Sequence, residues 1–261
     1  MEDFVNNSNT ILNDFIKIEK EYLTSLVRLG KVVVEDFLKI QNATKKVNKD
    51  TSFLFNPLKE YFNINETLHS YMLADLLNPN SNHGQGKLFL NAFLKKLDVL
   101  DPEKGNWTIT AEKGRIDILL KRDNPHSVII IENKSNNAVD QNHQLYRYWY
   151  QEIYLPNNDE EFAKPAIYEK IDISSRYKIL YLPPDHTKNP QDYSLTKPEY
   201  LTDSILPNRI PINYEKKPFN DFICNWLKEC IYTIVDENEK LQIPINHRLK
   251  EYLEQYIELW N

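Results

Sequence analysis

Two carboxylates and an ammonium stand in an order that can hydrolyse a phosphodiester. Asp117 lies in the run Arg115-Ile116-Asp117-Ile118-Leu119-Leu120, and Glu132-Asn133-Lys134 follows directly on Val128-Ile129-Ile130-Ile131. The interval from Asp117 to Glu132 is long enough for the rest of one strand, a turn and the next strand. Paired antiparallel, such strands bring the two acids side by side. Strand alternation then sends Glu132 and Lys134 to one face and Asn133 to the other. Two hard carboxylate oxygens suit Mg²⁺, and the metal would lower the pKa of a bound water and offset charge on the phosphodiester. A lysine beside that water can hold it in line, share the developing charge, or take its proton if its own pKa is depressed. The bare pattern is common in a chain with 38 Asp and Glu. The same residues would equally serve as strand-end caps with a surface ion pair.

Further polar groups flank this trio. Gln144 and Tyr148 are four apart and share a helical face, with Arg147 adjacent. An amide and a phenol there can bind phosphate oxygens or orient the lysine; the plainer alternative is a core tyrosine beside an exposed amide. Arg115 joins them as an expected substrate contact. Glu66 opens an earlier helix, where an acid favours the helix dipole or serves as a further metal ligand. Glu112 can reach the site from the end of the first strand, or is simply a turn acid. His69 suits the interior of its helix, and His83 sits in a glycine-containing loop that can touch substrate. Neither has a zinc partner at the right spacing. The chain has no Gly-x-Ser-x-Gly elbow, and neither cysteine has an obvious histidine partner, so covalent hydrolase chemistry is unsupported.

The elements that must position these residues can be read from periodicity. Leu12, Phe15, Ile16, Tyr22, Leu23, Leu26, Leu29, Val33 and Phe37 form a helical stripe over about Asn9 to Ile40. Gly30 allows one helix or two, and the basic segment Gln41–Asp50 reads as a linker. A second helix starts at Asn65 as N-cap and buries Leu68, Met72, Leu76 and Leu77, with Pro79 stopping it. Another carries Leu88, Phe89, Phe93, Leu94 and Leu97. The period then changes to two. Trp107–Ala111 and Arg115–Leu120 read as strands, Val128–Ile131 as a central strand buried on both faces, and Tyr177–Leu182 as a fourth. A fifth is expected over Ile205–Ile212, at an edge because of its prolines. Helices are expected over about Asp140–Tyr154, Phe219–Asp236 and Ile245–Trp260. The segment Pro183–Pro207, with Tyr193 and Tyr200, is a long loop able to flank the cleft and stack on bases. The sum is an α/β fold, a mixed central sheet flanked by helices. Residues 1–50 are expected as an N-terminal helical extension and 51–261 as the main domain.

Glu66, the Arg-Ile-Asp strand, Ile131-Glu132-Asn133-Lys134 and Gln144-x-x-x-Tyr148 together resemble the PD-(D/E)XK nuclease superfamily. They look most like its RecB-type branch, which carries the Gln-x-x-x-Tyr helix. The closer resemblance is to a bacterial family of such proteins, in which Leu76-Leu77-Asn78-Pro79 and His83-Gly84 precede an Arg-Ile-Asp-Ile and an Ile-Glu-Asn-Lys strand. The likeness runs from about Glu66 to Leu182, with a weaker echo around Tyr214–Trp226. It departs from the family name at Ile116, which stands where the name has proline. The resemblance implies a restriction-endonuclease-like core and Mg²⁺- or Mn²⁺-dependent cleavage of nucleic acid. On that basis Asp117 and Glu132 match the metal-binding acids, Lys134 the catalytic lysine, Glu66 the helix acid, and Gln144 and Tyr148 the trailing motif.

Composition constrains what remains. The 261 residues are 41% hydrophobic with 12% aromatics, enough for a sizeable core. A net charge of −6 argues against bulk coating of nucleic acid, although 32 Lys and Arg can build a local basic groove. No apolar run is long enough to span a membrane, and the N-terminus lacks the pattern of a secretory signal. Cys224 and Cys230, six apart on one helix, exclude a disulfide framework. The expectation is a cytoplasmic, metal-dependent nuclease acting on nucleic acid, most plausibly DNA, with the N-terminal stripe forming a homo-oligomer contact or covering the core. The alternative is a catalytically silent nuclease fold that binds nucleic acid or a protein.

Overall fold

Strand alternation decides where the core and the charged residues go. In the computed structural model, which describes residues 2–51, 55–157, 159–241 and 247–260, five strands form one sheet in the order β1-β2-β3-β4-β5. These are β1 (Trp107–Lys113), β2 (Ile116–Arg122), β3 (Ser127–Asn133), β4 (Tyr177–Leu182) and β5 (Glu215–Lys216). The first three form an antiparallel meander, while β4 and β5 run parallel to β3. The sheet is therefore mixed, and its central strand β3 is buried along its whole length, as the unbroken Val-Ile-Ile-Ile run predicts.

Each sheet face packs its own core. Ile118, Leu120, Ile129, Ile131, Leu180 and Leu182 point towards helices α2 (Glu66–Leu77), α3 (Leu88–Lys96), α5 (Cys224–Leu241) and α6 (His247–Ile257). Leu119, Val128, Ile130, Ile179 and Tyr181 point towards α4 (Gln144–Trp149), whose Leu145, Tyr146 and Trp149 are fully buried. By the same parity Asp117, Glu132 and Lys134 belong to the α4 face and Asn133 to the α2 face. The helix α2 begins as expected, the Asn65 side chain accepting from the Leu68 N–H at 2.9 Å. Its buried face is Leu73, Ala74, Leu76 and Leu77, whereas Leu68 is exposed.

The β1–β2 connection is a two-residue turn. Lys113 pairs with Ile116, and the intervening Gly114 and Arg115 both have positive φ, 64° and 68°. That is the geometry matching the right-handed twist of a hairpin; glycine adopts it freely, whereas arginine does so at a cost.

The structure corrects several expectations. Residues Ile205–Ile212 form no strand: Pro207 and Pro211 remove ladder donors, and Leu206, Ile210 and Ile212 instead bury their side chains under α4. The fifth strand is Glu215–Lys216. The helix expected from Asp140 starts at Gln144, after His143 at φ 56°, and continues as a π-helical turn over Tyr150–Tyr154. Gln41–Asp50 is not a linker but part of a single helix, α1 (Glu2–Thr51), because it contains neither Gly nor Pro to interrupt one. The first two residues of the last expected helix, 245 and 246, lie outside the described residues, as do 242–244 and 52–54. The chain divides into two compact units, Met1–Asn56 and Pro57–Asn261. In the first, the apolar stripe of α1, including Leu23, Leu26, Val33 and Phe37, is exposed. Cys224 and Cys230 are free and buried. Among the described residues no helix is long and apolar enough to cross a membrane.

Candidate active site

The register that pairs Ile118 with Ile131 continues by one step to set Asp117 opposite Glu132 at the ends of β2 and β3. The Asn133 N–H donates to Asp117 Oδ2 at 2.6 Å, fixing one acid to the strand that carries the other. Glu132 is 1% exposed and Lys134 4%. Lys134 Nζ lies 2.7 Å from Glu132 Oε1 and 3.7 Å from Asp140. Asp117, Glu132 and Lys134 thus come together on the α4 face.

Burying two acids this close perturbs both. Burial pushes Asp117 up to about 7; the Asn133 N–H and Lys134 oppose that, while the charges of Glu112 and Glu66 add to it. Burial also pushes Glu132 up to about 8, with Asp117 raising it further and Lys134 opposing. For Lys134, burial pulls the other way, but Glu132, Asp140 and Asp117 together outweigh it and the ammonium is held above its ordinary value. Neither oxygen of Glu132 has a well-directed hydrogen bond even with Lys134 beside it. A buried carboxylate in that state, next to a second acid that resists ionisation, fits a cation. The hard oxygens of Asp117 and Glu132 fit Mg²⁺ or Mn²⁺ in particular.

Glu66 is placed differently. Its Oε1 accepts from the backbone N–H groups of Asn136 and Ala138, both at 3.0 Å. It therefore ties the start of α2 to the segment after β3, while its charge still acts on Asp117. Among the described residues no three His, Cys, Asp or Glu side chains gather as a ready-made metal group. The charge of Glu112 helps push Asp117 up, and its own carboxyl is raised by burial and by Glu66.

Gln144 and Tyr148 are both buried, and Gln144 Nε2 donates to the Tyr148 hydroxyl at 2.9 Å. The hydroxyl in turn donates to the Arg115 carbonyl at the hairpin tip. Burial holds the phenol well above its usual pKa, with Glu132 and Asp117 contributing. The side chain of Arg115 is exposed. His69 is an interior residue, its Nδ1 2.8 Å from the Tyr256 hydroxyl and its pKa lowered to about 4 by burial. His83 braces its own loop, Nε2 lying 3.0 Å from the Asn78 carbonyl and Nδ1 accepting from the Gln85 N–H.

Two residues that sequence reasoning passed over complete the site. Asn133 Nδ2 donates to the Glu66 carbonyl (2.7 Å) and to Ser70 Oγ (3.0 Å), and its Oδ1 accepts from the Ser135 N–H (3.0 Å). It fastens α2 to the end of β3. Asp140 accepts from the Tyr181 hydroxyl and from the Gln191 N–H, and lies 3.7 Å from Lys134 Nζ. Its only sequence signal was an acid ahead of a helix, which reads as a cap.

A family model of the PD-(D/E)XK nuclease superfamily matches residues 55–253. The match names the superfamily and not its RecB-type branch. Searches of curated proteins and of solved structures give no match.

Proposed function

Since the chain belongs to the PD-(D/E)XK nuclease superfamily, we propose that it is a metal-dependent nuclease hydrolysing phosphodiester bonds in DNA, with Asp117, Glu132 and Lys134 as its catalytic residues. The observation that carries this reading is the buried Glu132 carboxylate, its oxygens without directed hydrogen bonds, beside an Asp117 that is itself reluctant to ionise. Asp117 and Glu132 would hold Mg²⁺ or Mn²⁺, while Glu66, expected as a further ligand, is held by the Asn136 and Ala138 N–H groups and acts on the pair through its charge. When bound, the ion supplies an acidified water and charge compensation for the phosphodiester.

The protein's own groups do the rest. Lys134 keeps its proton, because the surrounding carboxylates hold it above the ordinary lysine value. In that state it donates from Nζ to a water or phosphate oxygen. Asp140 and the Val139 carbonyl keep the ammonium in place, the latter 3.5 Å from Nζ. The Asn133 N–H orients Asp117. Gln144 and Tyr148 fix each other and the hairpin tip, which presents the exposed Arg115 side chain to the strand being cut.

The test is cleavage of linear duplex, circular duplex and single-stranded DNA, with RNA alongside, in Mg²⁺ or Mn²⁺. Glu132→Ala and Lys134→Ala should each abolish it; activity surviving both would sink the site. A second reading, a silent fold that binds nucleic acid or a protein partner, is favoured by the Lys134–Glu132 contact, where an ammonium already neutralises the acid. In that case neither Mg²⁺ nor Mn²⁺ raises the Tm.

A further inference from the structure

Beside the acid–lysine cluster lies a cavity of about 340 Å³ lined by Gly114, Arg115, Arg147, Tyr148, Gln151 and Tyr200. Its size is within the range of small-ligand pockets. Two guanidiniums share it, and neither has a carboxylate partner there. Arg147 Nε is buried with no hydrogen-bond partner, and its Nη2 makes only a long contact, 3.4 Å, to Gln141. Two like charges and an unused buried donor in one cavity leave it wanting an anion, and the guanidinium fork matches phosphate. Tyr200, 69% exposed, comes from the long loop after β4 and presents an aromatic face at the rim. Gln151 adds an amide able both to donate and to accept. The inner wall is Tyr148, whose hydroxyl is bonded to Gln144 and feels the charges of Glu132 and Asp117.

We propose that this cavity holds one unpaired nucleotide of the substrate strand next to the cut, its phosphate on Arg115 and Arg147 and its base stacked on Tyr200. The inference rests on the nuclease reading and narrows its substrate to strands that are single, or opened, beside the scissile bond. A base inside a duplex has both faces covered by its neighbours and cannot also lie on Tyr200. An unpaired base is free to do so, and such stacking tolerates any base.

The proposal is tested with a fluorescein-labelled single strand of about 12 nucleotides, within the site sizes such proteins cover, and with the corresponding blunt duplex. Binding is measured by anisotropy at two salt concentrations, with Ca²⁺ replacing Mg²⁺. Cleavage by the wild type in Mg²⁺ is scored separately. Tyr200→Ala should weaken binding of the single strand about tenfold and leave the duplex alone, while Tyr200→Phe keeps the wild-type Kd. Arg147→Gln should weaken it about tenfold and reduce the salt slope by about one. If Arg147→Gln fails to fold, the two Tyr200 variants, changed at an exposed position, decide the matter alone. A wild type that cuts DNA while Tyr200→Ala binds the single strand within about twofold of wild type overturns the pocket and leaves the nuclease. A wild type that neither binds nor cuts either DNA overturns both.

Discussion

Thermal stability should fall as pH rises from 6 to 8 in chelator, and Mg²⁺ should remove most of that fall. Asp117 and Glu132 titrate in the folded chain at about 7 and about 8, against ordinary carboxylate values near 4. The folded state therefore holds protons that the unfolded state has already released, and stability declines as pH rises through that window. Each such proton changes stability by about 1.4 kcal/mol per pH unit. Over pH 6 to 8 Glu132 retains most of one and Asp117 about half, a loss of about 3–4 kcal/mol. His69 acts the other way: lowered to about 4, it favours the folded state as the unfolded imidazole deprotonates, returning just under about 1 kcal/mol. His126, also lowered by burial, acts in the same sense, so the net loss is at most about 3 kcal/mol, or up to roughly 10 °C in Tm for a domain of this size. The assay is thermal unfolding followed by circular dichroism across the pH range, in chelator and in saturating Mg²⁺. Binding to the ionised acids stabilises the folded state most at the alkaline end, so the two curves should converge at pH 6 and separate at pH 8. The Asp117→Asn, Glu132→Gln double variant should lose the decline even in chelator. A decline that persists unchanged in that variant would refute the idea that these acids are the source of the pH dependence.

Other outcomes are expected at single residues. Lys134→Met should cut the cleavage rate roughly 10²–10⁴-fold and, above pH 8, where Glu132 is ionised, should cost about 3–5 kcal/mol in chelator by leaving Glu132 and Asp140 without their shared cation. The urea midpoint reads the second effect, and no change in it would mean that the ion pair carries no stability. Asn133→Ala strips partners from the Glu66 carbonyl, Ser70 and the Ser135 N–H. It should destabilise the main unit by about 2–3 kcal/mol, seen in the same titration. Glu66→Ala frees the N–H groups of Asn136 and Ala138, so their hydrogen exchange should accelerate while amides of β3 stay protected; equal rates would show that the carboxylate does not hold the segment.

How much of this was legible in the sequence follows from the range of the forces involved. The central strand, the pairing that aligns Asp117 with Glu132 and the shared side of Lys134 all follow from alternation, a local rule that a continuous Val-Ile-Ile-Ile run obeys without outside help. The parts that were missed depend on distant segments. Asn133 was assigned to the far face, but its partners at Glu66 and Ser70 lie more than 60 residues away. Asp140 takes its place from Tyr181 and from the Gln191 N–H. The helix start at Gln144 is displaced from Asp140 because the intervening residues, with His143 left-handed, turn the chain around that acid. At Ile205–Ile212 hydrophobicity marked burial correctly but not conformation, since two prolines allow apolar side chains to be buried without a ladder.

The hairpin tip carries a consequence of its own. Arg115 holds a left-handed backbone, φ 68°, in a two-residue turn that glycine or asparagine would occupy with ease. A side chain with a β-carbon costs about 1–2 kcal/mol there, and the Tyr148 hydroxyl bonded to the Arg115 carbonyl helps keep the turn closed in spite of it. Foldability and the strand binding proposed for Arg115 therefore pull in opposite directions at one position. Arg115→Gly should make the hairpin more robust while removing a guanidinium from the cavity beside Tyr148, so, on the proposed reading, the fold gains from the substitution that weakens strand binding.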